Sequence, residues 1–485
     1  MIWAILIPLG IIIIIAGYTY LPTEFTPLPL FGVIAMWVSV GLLQTWWSNV
    51  RRHLRGHLRC NLRTTETVSV VVVRRERPDL QRAFDHLRAQ AGNLPPLGVE
   101  NSLGLNRICQ DGAYRQAIKW ERFPCSLTEY MDCAENAIYR LRLPDGKPFI
   151  AAIVTPYRYS RYEIERSRPR LEVAARDIDT ARRGLELIQE TARKLSVYRG
   201  TVVTIDRATS LRDDFTVRFI EFPAVAREAI ILPESLLHAI ERSVLSAVTH
   251  ADLLRQTGRG TRRGVLLHGP PGTGKTLVTR YLASQCKGFT IITIAGRQQR
   301  YVRQACLLAR LLAPSLVILE DVDLIASDRS ANRRTIFLHE LMDEIDALGP
   351  NTETVFLLTT NRPHLLERAL MARPGRVDQA IEFPLPDAEC RRRLLAWYGR
   401  GVDLSRVDQA GLVERLAGAS PAFIAELLRK AVLEAAERGE RSQPLALTDA
   451  DFTAALRELL ELGGELTRNF LGFPAPPPQS SQPAA

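Results

Sequence analysis

The sequence predicts an α/β fold, preceded by an α+β domain and a transmembrane helical hairpin. Three observations support this prediction. Two long apolar runs occupy the first 50 residues, strand and helix patterns mix irregularly as far as about residue 215, and a glycine-rich segment then joins an apolar strand to a helix. A chain of 485 residues is too long for one ordinary domain and has room for two or three.

The composition is that of a chain that buries a proper core. Hydrophobic residues make up 46% and charged residues 24%, as in globular proteins. The net charge of +10 comes almost wholly from arginine and is scattered, so we interpret it as solvated surface and do not expect nucleic acid to be a partner. The seven cysteines are dispersed and include no CxxC pair, which argues against a disulfide framework or a zinc site and favours a reducing compartment.

Residues 1–50 are predicted to form two transmembrane helices. The run "IWAILIPLGIIIIIAGYTYL" has the roughly 20 apolar residues that a spanning helix needs. A second run, residues 28–50, ends near Trp46 and Trp47, where an aromatic belt would lie. The cluster "RRHLRGHLRCNLR" follows and is typical of a cytoplasmic flank. A signal peptide fits less well, because no Lys or Arg precedes the first run. We therefore expect a protein of the bacterial cell inner membrane, with two spans, the membrane as a partner and the remaining domains in the cytoplasm.

Residues 51–215 are predicted to hold a juxtamembrane Arg-rich segment and the α+β domain. "TVSVVVVRRE" has the pattern of a strand, "LQRAFDHLRAQA" that of an amphipathic helix, and "PDGK" that of a turn between two strands. "RYSRYEIERSRPR" interleaves arginine and tyrosine as RNA-binding segments do, but its two glutamates favour a salt-bridged surface. No paired acids, histidine cluster or Ser/His arrangement indicates chemistry here, so the role of this domain stays open.

The clearest chemical signal follows the apolar strand predicted at residues 264–268. Residues 269–276, "GPPGTGKT", match GxxxxGK[ST] between a strand and a helix. Glycines in this pattern let backbone N–H groups wrap phosphates, and the helix N-terminus adds its dipole. We expect ATP and Mg²⁺ here, with Lys275 at the β- and γ-phosphates and the Thr276 hydroxyl on the metal. The predicted ATP-binding residues are Gly269, Pro270, Pro271, Gly272, Thr273, Gly274, Lys275, Thr276 and Leu277.

Several blocks around this loop occur in the order found in the AAA family of ATPases, which the chain resembles from about residue 227 to 459. "SLVILEDVDLIA" resembles the Walker B strand, "VFLLTTNRP" the sensor-1 strand with Asn361 as the polar sensor, "RALMARPGRVDQAIEFPLPD" the second region of homology and "LAGASPAFIAELLRKAVLEAA" the helical lid. The resemblance implies a P-loop AAA+ core, with a parallel sheet between helices and a C-terminal helical lid. It places the large subdomain at 216–387 and the lid at 388–465, before a disordered Pro-rich tail at 466–485.

The resemblance also implies roles for four further polar residues. It implies a homo-oligomeric ring, usually a hexamer, in which Arg373 and Arg376 reach the neighbour's γ-phosphate. Because "ALMARPGR" is one residue longer than the commonest spacing, which arginine does so is open. Glu320 takes the place of the acid that holds Mg²⁺ with Thr276, and Asp321 that of the acid that polarises the attacking water. This Glu-Asp order reverses the usual one, and the shorter Asp321 side chain is expected to slow the reaction.

These features predict Mg²⁺-dependent ATP hydrolysis by an oligomeric ring, coupled to remodelling or assembly of a protein at the cytoplasmic membrane face. The alternative is a nucleotide switch or scaffold that binds ATP and barely turns it over. "GRQQRY" replaces the longer aromatic loop of threading motors, so Tyr301 is expected to open a helix and pack. The chain contains no HExxH zinc helix, which excludes proteolysis by this chain. The sequence does not identify the client protein.

Overall fold

The structure, a computed structural model, describes residues 50–100, 104–155, 169–208, 215–323, 341–363 (without 342, 348 and 350) and 377–462. Of these, the residues up to 196 belong to one compact unit and those from 197 onwards to a second.

The first unit is built on a five-stranded antiparallel sheet in the order β1-β7-β6-β5-β2. A separate hairpin joins β3 to β4. The strands are β1 (Glu66–Val71), β2 (Leu97–Gly98), β3 (Trp120–Pro124), β4 (Tyr130–Ala134), β5 (Ala137–Arg142), β6 (Pro148–Val154) and β7 (Arg170–Ala175). The helices are α1 (Val50–Leu58), α2 (Arg77–Gln90), α3 (Leu105–Asp111) and α4 (Ile178–Lys194).

The two faces of this sheet bury different side chains, because successive residues of a strand point to opposite faces. Tyr139 and Leu141 of β5 pack into a core shared with α2 and α4. Ile138, one position away from Tyr139, packs instead with Leu54 and Leu58 of α1. Helices therefore cover both faces of this antiparallel sheet.

The second unit is built on a seven-stranded sheet in the order β14-β10-β13-β12-β11-β8-β9. Its strands are β8 (Val202–Arg207), β9 (Phe215–Phe219), β10 (Arg263–His268), β11 (Thr290–Ala295), β12 (Ser315–Glu320), β13 (Thr354–Thr360) and β14 (Gln379–Glu382). The helices described in full between these strands are α5 (Glu234–Thr249), α6 (Ala251–Gln256), α7 (Lys275–Gln285) and α8 (Val302–Leu311). The predicted α/β fold with a parallel sheet and helices is confirmed.

The parallel pairing brings several loops to one edge of this sheet. Strands β8, β10, β11, β12, β13 and β14 run parallel, and only β9 is antiparallel to its neighbour β8. Every residue of β13 is buried, as expected for a strand covered on both faces. Since parallel strands end at the same edge, the residues that follow β10, β12 and β13 lie together there.

A smaller helical part follows β14. It consists of α9 (Ala388–Tyr398), β15 (Val402–Arg406), α10 (Gln409–Arg415), α11 (Pro421–Glu437), β16 (Leu445–Thr448) and α12 (Asp449–Arg457). Phe423 and Leu427 of α11 and Phe452 of α12 are fully buried in one shared core. Ser420 begins α11 by accepting a hydrogen bond from the Phe423 N–H at 3.1 Å, which satisfies one of the free N–H groups of the first turn.

The first unit gives way to the second between residues 196 and 197. The sequence had suggested a boundary near residue 215. Strand β8 pairs with β11 from Ile291↔Val202 onwards, and β9 pairs back onto β8. This hairpin therefore extends the sheet of the second unit. The apolar pattern of "TVVTI" indicates a strand but does not indicate its partner, because pairing depends on distant residues.

The prediction of an inner-membrane location is wrong on the structure as described. Among the described residues, none of the helices is both long and apolar enough to cross a membrane. The two predicted spans rested on apolar length in residues 1–49, which lie outside the described residues. The first part of the arginine cluster that was expected to be juxtamembrane belongs to α1, whose Leu54 and Leu58 are 0% and 2% exposed in the core of the first unit.

Candidate functional site

The loop between β10 and α7 takes a shape that requires glycine. Gly269, Gly272 and Gly274 have φ values of +145°, +74° and +95°, in the region where residues with a Cβ are strained. A Cβ added to Gly269 would also overlap the carbonyl oxygen of Phe383, which follows β14. The loop can therefore turn its backbone N–H groups towards an anion at the start of α7.

The Lys275 side chain folds back onto this loop. Its Nζ donates hydrogen bonds to the carbonyl oxygens of Gly269 and Pro270, at 2.9 and 2.7 Å, and to Thr273 Oγ1 at 3.3 Å. Burial lowers the pKa of Lys275 to about 8, while Asp321 and Asp323 act in the opposite direction. The amine is therefore mostly protonated at pH 7 and can exchange a carbonyl acceptor for a phosphate oxygen.

Thr276 and Leu277 form the first turn of α7 together with Lys275. Both side chains are exposed, and both line the cavity described below. The Thr276 hydroxyl is thus accessible to a ligand, at the helix end where the dipole favours negative charge.

The two adjacent acids at the end of β12, Glu320 and Asp321, lie in different surroundings. Asp321 lines the cavity and has the unusual φ of +48°. Its backbone N–H donates to Thr359 Oγ1 at 3.0 Å, and its Oδ1 accepts a hydrogen bond from Asn361 Nδ2 at 3.2 Å. Glu320 ends the strand and is half-buried. The sequence-predicted pair of Asp321 and Asn361 therefore meets at the carboxyl edge of the sheet.

Both acids are harder to ionise than ordinary carboxyl groups. Burial raises the pKa of Glu320, with a further contribution from the Asp321 charge, and Arg280 opposes it. Burial also raises the pKa of Asp321, as does Asp323, while Lys275 and the Asn361 hydrogen bond oppose the rise. A cation bound between these groups would favour their charged forms.

Asp323 holds the end of β13 in place. It is 5% exposed, and its Oδ1 accepts hydrogen bonds from Thr360 Oγ1 at 2.8 Å and from the Asn361 N–H at 3.1 Å. Asp323 therefore orients the residue that contacts Asp321 and is a positioning residue.

Replacing Asp323 should destabilise the second unit. We expect Asp323→Ala to lower its free energy of unfolding by about 2–3 kcal/mol, because two buried donors lose their acceptor. Asp323→Asn keeps an oxygen at the same place and should lower it by less than half as much. Denaturant unfolding measures the free energy of unfolding of both variants, and hydrogen exchange in β13 measures the effect on that strand. Equal losses for the two variants would show that the charge matters rather than the hydrogen bonds.

A cavity of about 500 Å³ lies beside the loop between β10 and α7, which we call the phosphate loop. The cavity has a polar end and an apolar end. The loop, Asp321 and Asn361 line its polar end. The apolar end is formed by a segment before α5, by α9 and by the start of α11, namely Ala229, Ile230, Ile231, Leu232, Leu394, Tyr398, Pro421 and Ala422. The Ala422 N–H donates to the Gly272 carbonyl at 3.2 Å and so ties α11 to the phosphate loop. A nucleotide with its phosphates at the loop would extend its base and ribose towards the apolar end.

Sequence reasoning did not find the residues of the apolar end. Apolar residues such as Ile230 and Leu394 are typical of any core, so their type indicates no chemistry. The resemblance of the segments before α5 and at α11 to parts of an AAA core was the available signal, but it names no single contact residue.

Tyr398 offers a test of this end of the cavity. We expect Tyr398→Ala to raise the KM for ATP by about 10-fold and to leave kcat within about twofold, because the lost contact stabilises bound substrate and transition state equally. Steady-state kinetics measures both constants, with Tyr398→Phe as the control that keeps the ring. A fall in kcat at unchanged KM would place Tyr398 in the chemical step instead.

The donor set fits a magnesium nucleotide. Mg²⁺ prefers oxygen ligands and is held by one or two carboxylates together with substrate phosphates. Thr276 and Asp321 line the cavity and offer a hydroxyl and a carboxylate, whereas Glu320, the last residue of β12, is half-buried and is not among the lining residues. Within the described residues, no group of three or more His, Cys, Asp or Glu side chains could hold a metal ion by itself, so a metal here would depend on the nucleotide.

The two predicted arginine fingers, Arg373 and Arg376, lie outside the described residues. Their assignment stays a prediction.

Comparison with known proteins supports the interpretation of this site. Residues 265–385 match the model of the family described as ATPase family associated with various cellular activities (AAA). The chain is 33% identical over 254 residues to the 26S proteasome regulatory subunit 8 homolog of Schizosaccharomyces pombe, covering 48% of this chain and 61% of the relative. It is 32% identical over 238 residues to the 26S proteasome regulatory subunit 8 of Caenorhabditis elegans, covering 45% of this chain and 55% of the relative.

A longer match is found with the proteasome-activating nucleotidase of Pyrococcus abyssi. The identity is 30% over 287 residues, which cover 55% of this chain and 70% of that protein. The chain thus spans only about half to two thirds of the length of the two proteasome subunits and somewhat more of the nucleotidase. These similarities agree with the phosphate loop and with the hydrogen-bonded Asp321 and Asn361. The chain therefore belongs to the AAA family of ATPases.

Proposed function

We propose that this protein binds ATP in the cavity of the second unit, hydrolyses it with Mg²⁺ as a homo-oligomeric ring, and uses the energy to remodel or assemble a client protein. The observation that supports this most is the convergence of Lys275, Asp321 and Asn361 on one cavity of about 500 Å³. Such a cavity is large enough for a small-molecule ligand.

The residues of the site divide the work of hydrolysis. The loop N–H groups and Lys275 hold the phosphates, and Thr276 and Glu320 hold the magnesium. Magnesium held there would neutralise charge on the phosphate oxygens. The Asp321 carboxylate orients and polarises the attacking water, and the Asn361 amide fixes the direction of that carboxylate through its 3.2 Å hydrogen bond. The lid segment with Ala422 and Tyr398 closes over the nucleotide from the other side.

The proposal includes the ring because AAA sites are completed at subunit boundaries. AAA sites take a positive charge from a neighbouring subunit, and Arg373 and Arg376 are the candidates on this chain. The relatives at about 30% identity bear the names of proteasome subunits and a proteasome-activating nucleotidase. A protein client is the substrate class that best fits this kinship.

Remodelling is favoured over continuous threading of an unfolded chain. A threading motor needs an aromatic side chain that is free to grip its substrate. Tyr301 is only 9% exposed, stands at the start of α8, and has its ring centroid 6.5 Å from that of Phe215. Its packed position supports the expectation that it opens the helix.

A nucleotide switch with little turnover is the second candidate. It is favoured by the Glu-Asp order, because Asp321 is one methylene shorter than glutamate and is held by two hydrogen bonds. A water positioned for a longer acid would be polarised less effectively.

Steady-state ATP hydrolysis by the full chain, compared with Lys275→Ala, tests the proposal. We expect turnover that needs Mg²⁺, falls by about 100-fold or more in Lys275→Ala, and accompanies ATP-dependent oligomerisation in sedimentation velocity. ATP binding and oligomerisation without turnover above the Lys275→Ala level would favour the switch. Failure to bind ATP would overturn both candidates.

A further inference from the structure

The first unit contains a cavity of its own, separate from the nucleotide cavity. Its volume is about 670 Å³. It lies where α1 passes over β5, and it is lined by Arg52, His53, Gly56, His57, Leu94, Arg140 and Arg142. Three arginines and two histidines therefore surround it, and its lining among the described residues includes no carboxylate.

The pleat of β5 explains how two arginines come to one wall. Arg140 and Arg142 alternate with Tyr139 and Leu141, which point to the opposite face. They share the face of Ile138, which packs with α1. Neither Arg140 nor Arg142 forms an ion pair with a carboxylate within the part of the chain that the structure describes.

His57 fastens α1 across the strands beneath it. Its Nε2 lies 2.9 Å from the Leu141 carbonyl oxygen and 3.2 Å from that of Phe149. Since both partners are acceptors, Nε2 carries the hydrogen and donates. Burial lowers the pKa of His57, and the nearby Arg142 and Arg140 lower it further. His57 is therefore a neutral anchor that sets the distance between α1 and β5.

Arg140 has unused capacity for an acceptor. Its Nη2 donates to the Pro95 carbonyl at 3.1 Å, but its Nε is buried without a hydrogen-bond partner among the described residues. The Arg142 Nη1 donates only to the Gly146 carbonyl, at 2.9 Å. Arg140 and Arg142 each have five guanidinium N–H donors, and an anionic oxygen in the cavity would accept from those that do not donate to the Pro95 or Gly146 carbonyls.

We propose that this cavity is a binding site for a small anion with two or more phosphate groups. The planar fork of arginine matches phosphate oxygens, and Arg140 and Arg142, which have no ion pair among the described residues, suit a ligand with two phosphate groups. The volume of the cavity is within the range of small-molecule sites. A concave site of this kind fits a compact ligand better than a nucleic-acid strand, which would need an extended basic surface.

Gly56 provides a matched pair of variants for the test. It lies on α1, and a Cβ added there meets no atom within 4 Å. Gly56→Glu places a carboxylate in the cavity, whereas Gly56→Gln places a side chain of the same shape without the charge. Arg142→Gln removes a cation from the wall, and Arg122→Gln on β3 removes one from a site outside the cavity.

The experiment is calorimetric titration of inorganic pyrophosphate into the full chain that carries Lys275→Ala, so that the phosphate loop contributes less. We expect about one equivalent to bind. Arg142→Gln and Gly56→Glu should each weaken binding by about 10-fold or more, while Arg122→Gln and Gly56→Gln change it by less than about threefold. Thermal midpoints of all variants check that the fold is intact.

The outcomes are distinct. Loss of affinity in Arg142→Gln and Gly56→Glu alone supports the site. Tighter binding of ADP than of pyrophosphate, with the same dependence on Arg142, supports it with a nucleotide as the source of the phosphates. No binding of either compound, an unchanged affinity in Arg142→Gln, or equal losses in Gly56→Glu and Gly56→Gln would overturn it. Binding of an oligonucleotide but not of pyrophosphate would do so too.

Discussion

Asp321→Asn is expected to lower the ATPase rate by about 100-fold or more while changing ATP affinity by less than about threefold. A positioned acid or base contributes about 10²- to 10⁴-fold to such a reaction. The amide cannot polarise water as a carboxylate does, but it has the same shape. It can also still present an oxygen to Asn361 Nδ2, the donor that lies 3.2 Å from Asp321 Oδ1. The variant should therefore bind ATP almost normally and hydrolyse it slowly.

The measurement is steady-state hydrolysis together with equilibrium binding of ATP. Lys275→Ala is the control, because it should weaken binding as well as turnover. Asn361→Ala adds a second test: if Asn361 acts by orienting Asp321, it should have little further effect in the Asp321→Asn background. An Asp321→Asn enzyme that keeps its rate would show that another group activates the water.

The backbone at Asp321 bears on why aspartate stands there. Its φ of +48° lies in the left-handed region, where aspartate and asparagine are found far more often than longer side chains. The hydrogen bond from its N–H to Thr359 Oγ1 holds this conformation. The shorter acid thus suits the local backbone, and the reversed Glu-Asp order has a structural reason as well as a consequence for the rate.

The parts of the site that follow from regular structure could be predicted. A glycine-rich loop between a strand and a helix specifies its own backbone, and parallel strands place Asp321 beside Asn361 although 40 positions separate them. The apolar end of the cavity could not be predicted from the sequence. Leu394 and Tyr398 reach the loop only because the lid docks there.

Other features depended on pairing that a linear pattern does not show. The segment of β8 has the apolar pattern of a strand, yet its partner β11 lies far along the chain. The arginines of the first unit looked like scattered surface charge. Arg52 and Arg140 share a cavity only because α1 packs over β5. Charge clusters formed by tertiary structure are invisible in composition and local spacing.

Gly269→Ala is expected to disrupt both the fold of the second unit and its nucleotide site. The residue has a φ of +145°, and an added Cβ would overlap the Phe383 carbonyl oxygen. That carbonyl belongs to rigid backbone, since the Phe383 N–H donates to the His268 carbonyl at 2.7 Å and the Phe383 side chain is fully buried. The loop must therefore move. We expect a loss of stability of roughly 2–4 kcal/mol and an ATP affinity lower by about 100-fold or more.

Gly288→Ala is the control that separates the strain of a positive φ from the overlap with the Phe383 carbonyl oxygen. Gly288 also has a positive φ, +80°, but an added Cβ there meets no atom within 4 Å. It should therefore show only the backbone penalty of about 1–2 kcal/mol and leave ATP affinity unchanged. Hydrogen exchange of β10 and β14 measures the local stability of both variants, and an ATP-binding titration measures their affinity. If Gly269→Ala behaved like Gly288→Ala, the close approach to Phe383 would not shape the loop. A larger loss at Gly269, with faster exchange at both strand ends, would show that β14 holds the phosphate loop in its binding conformation.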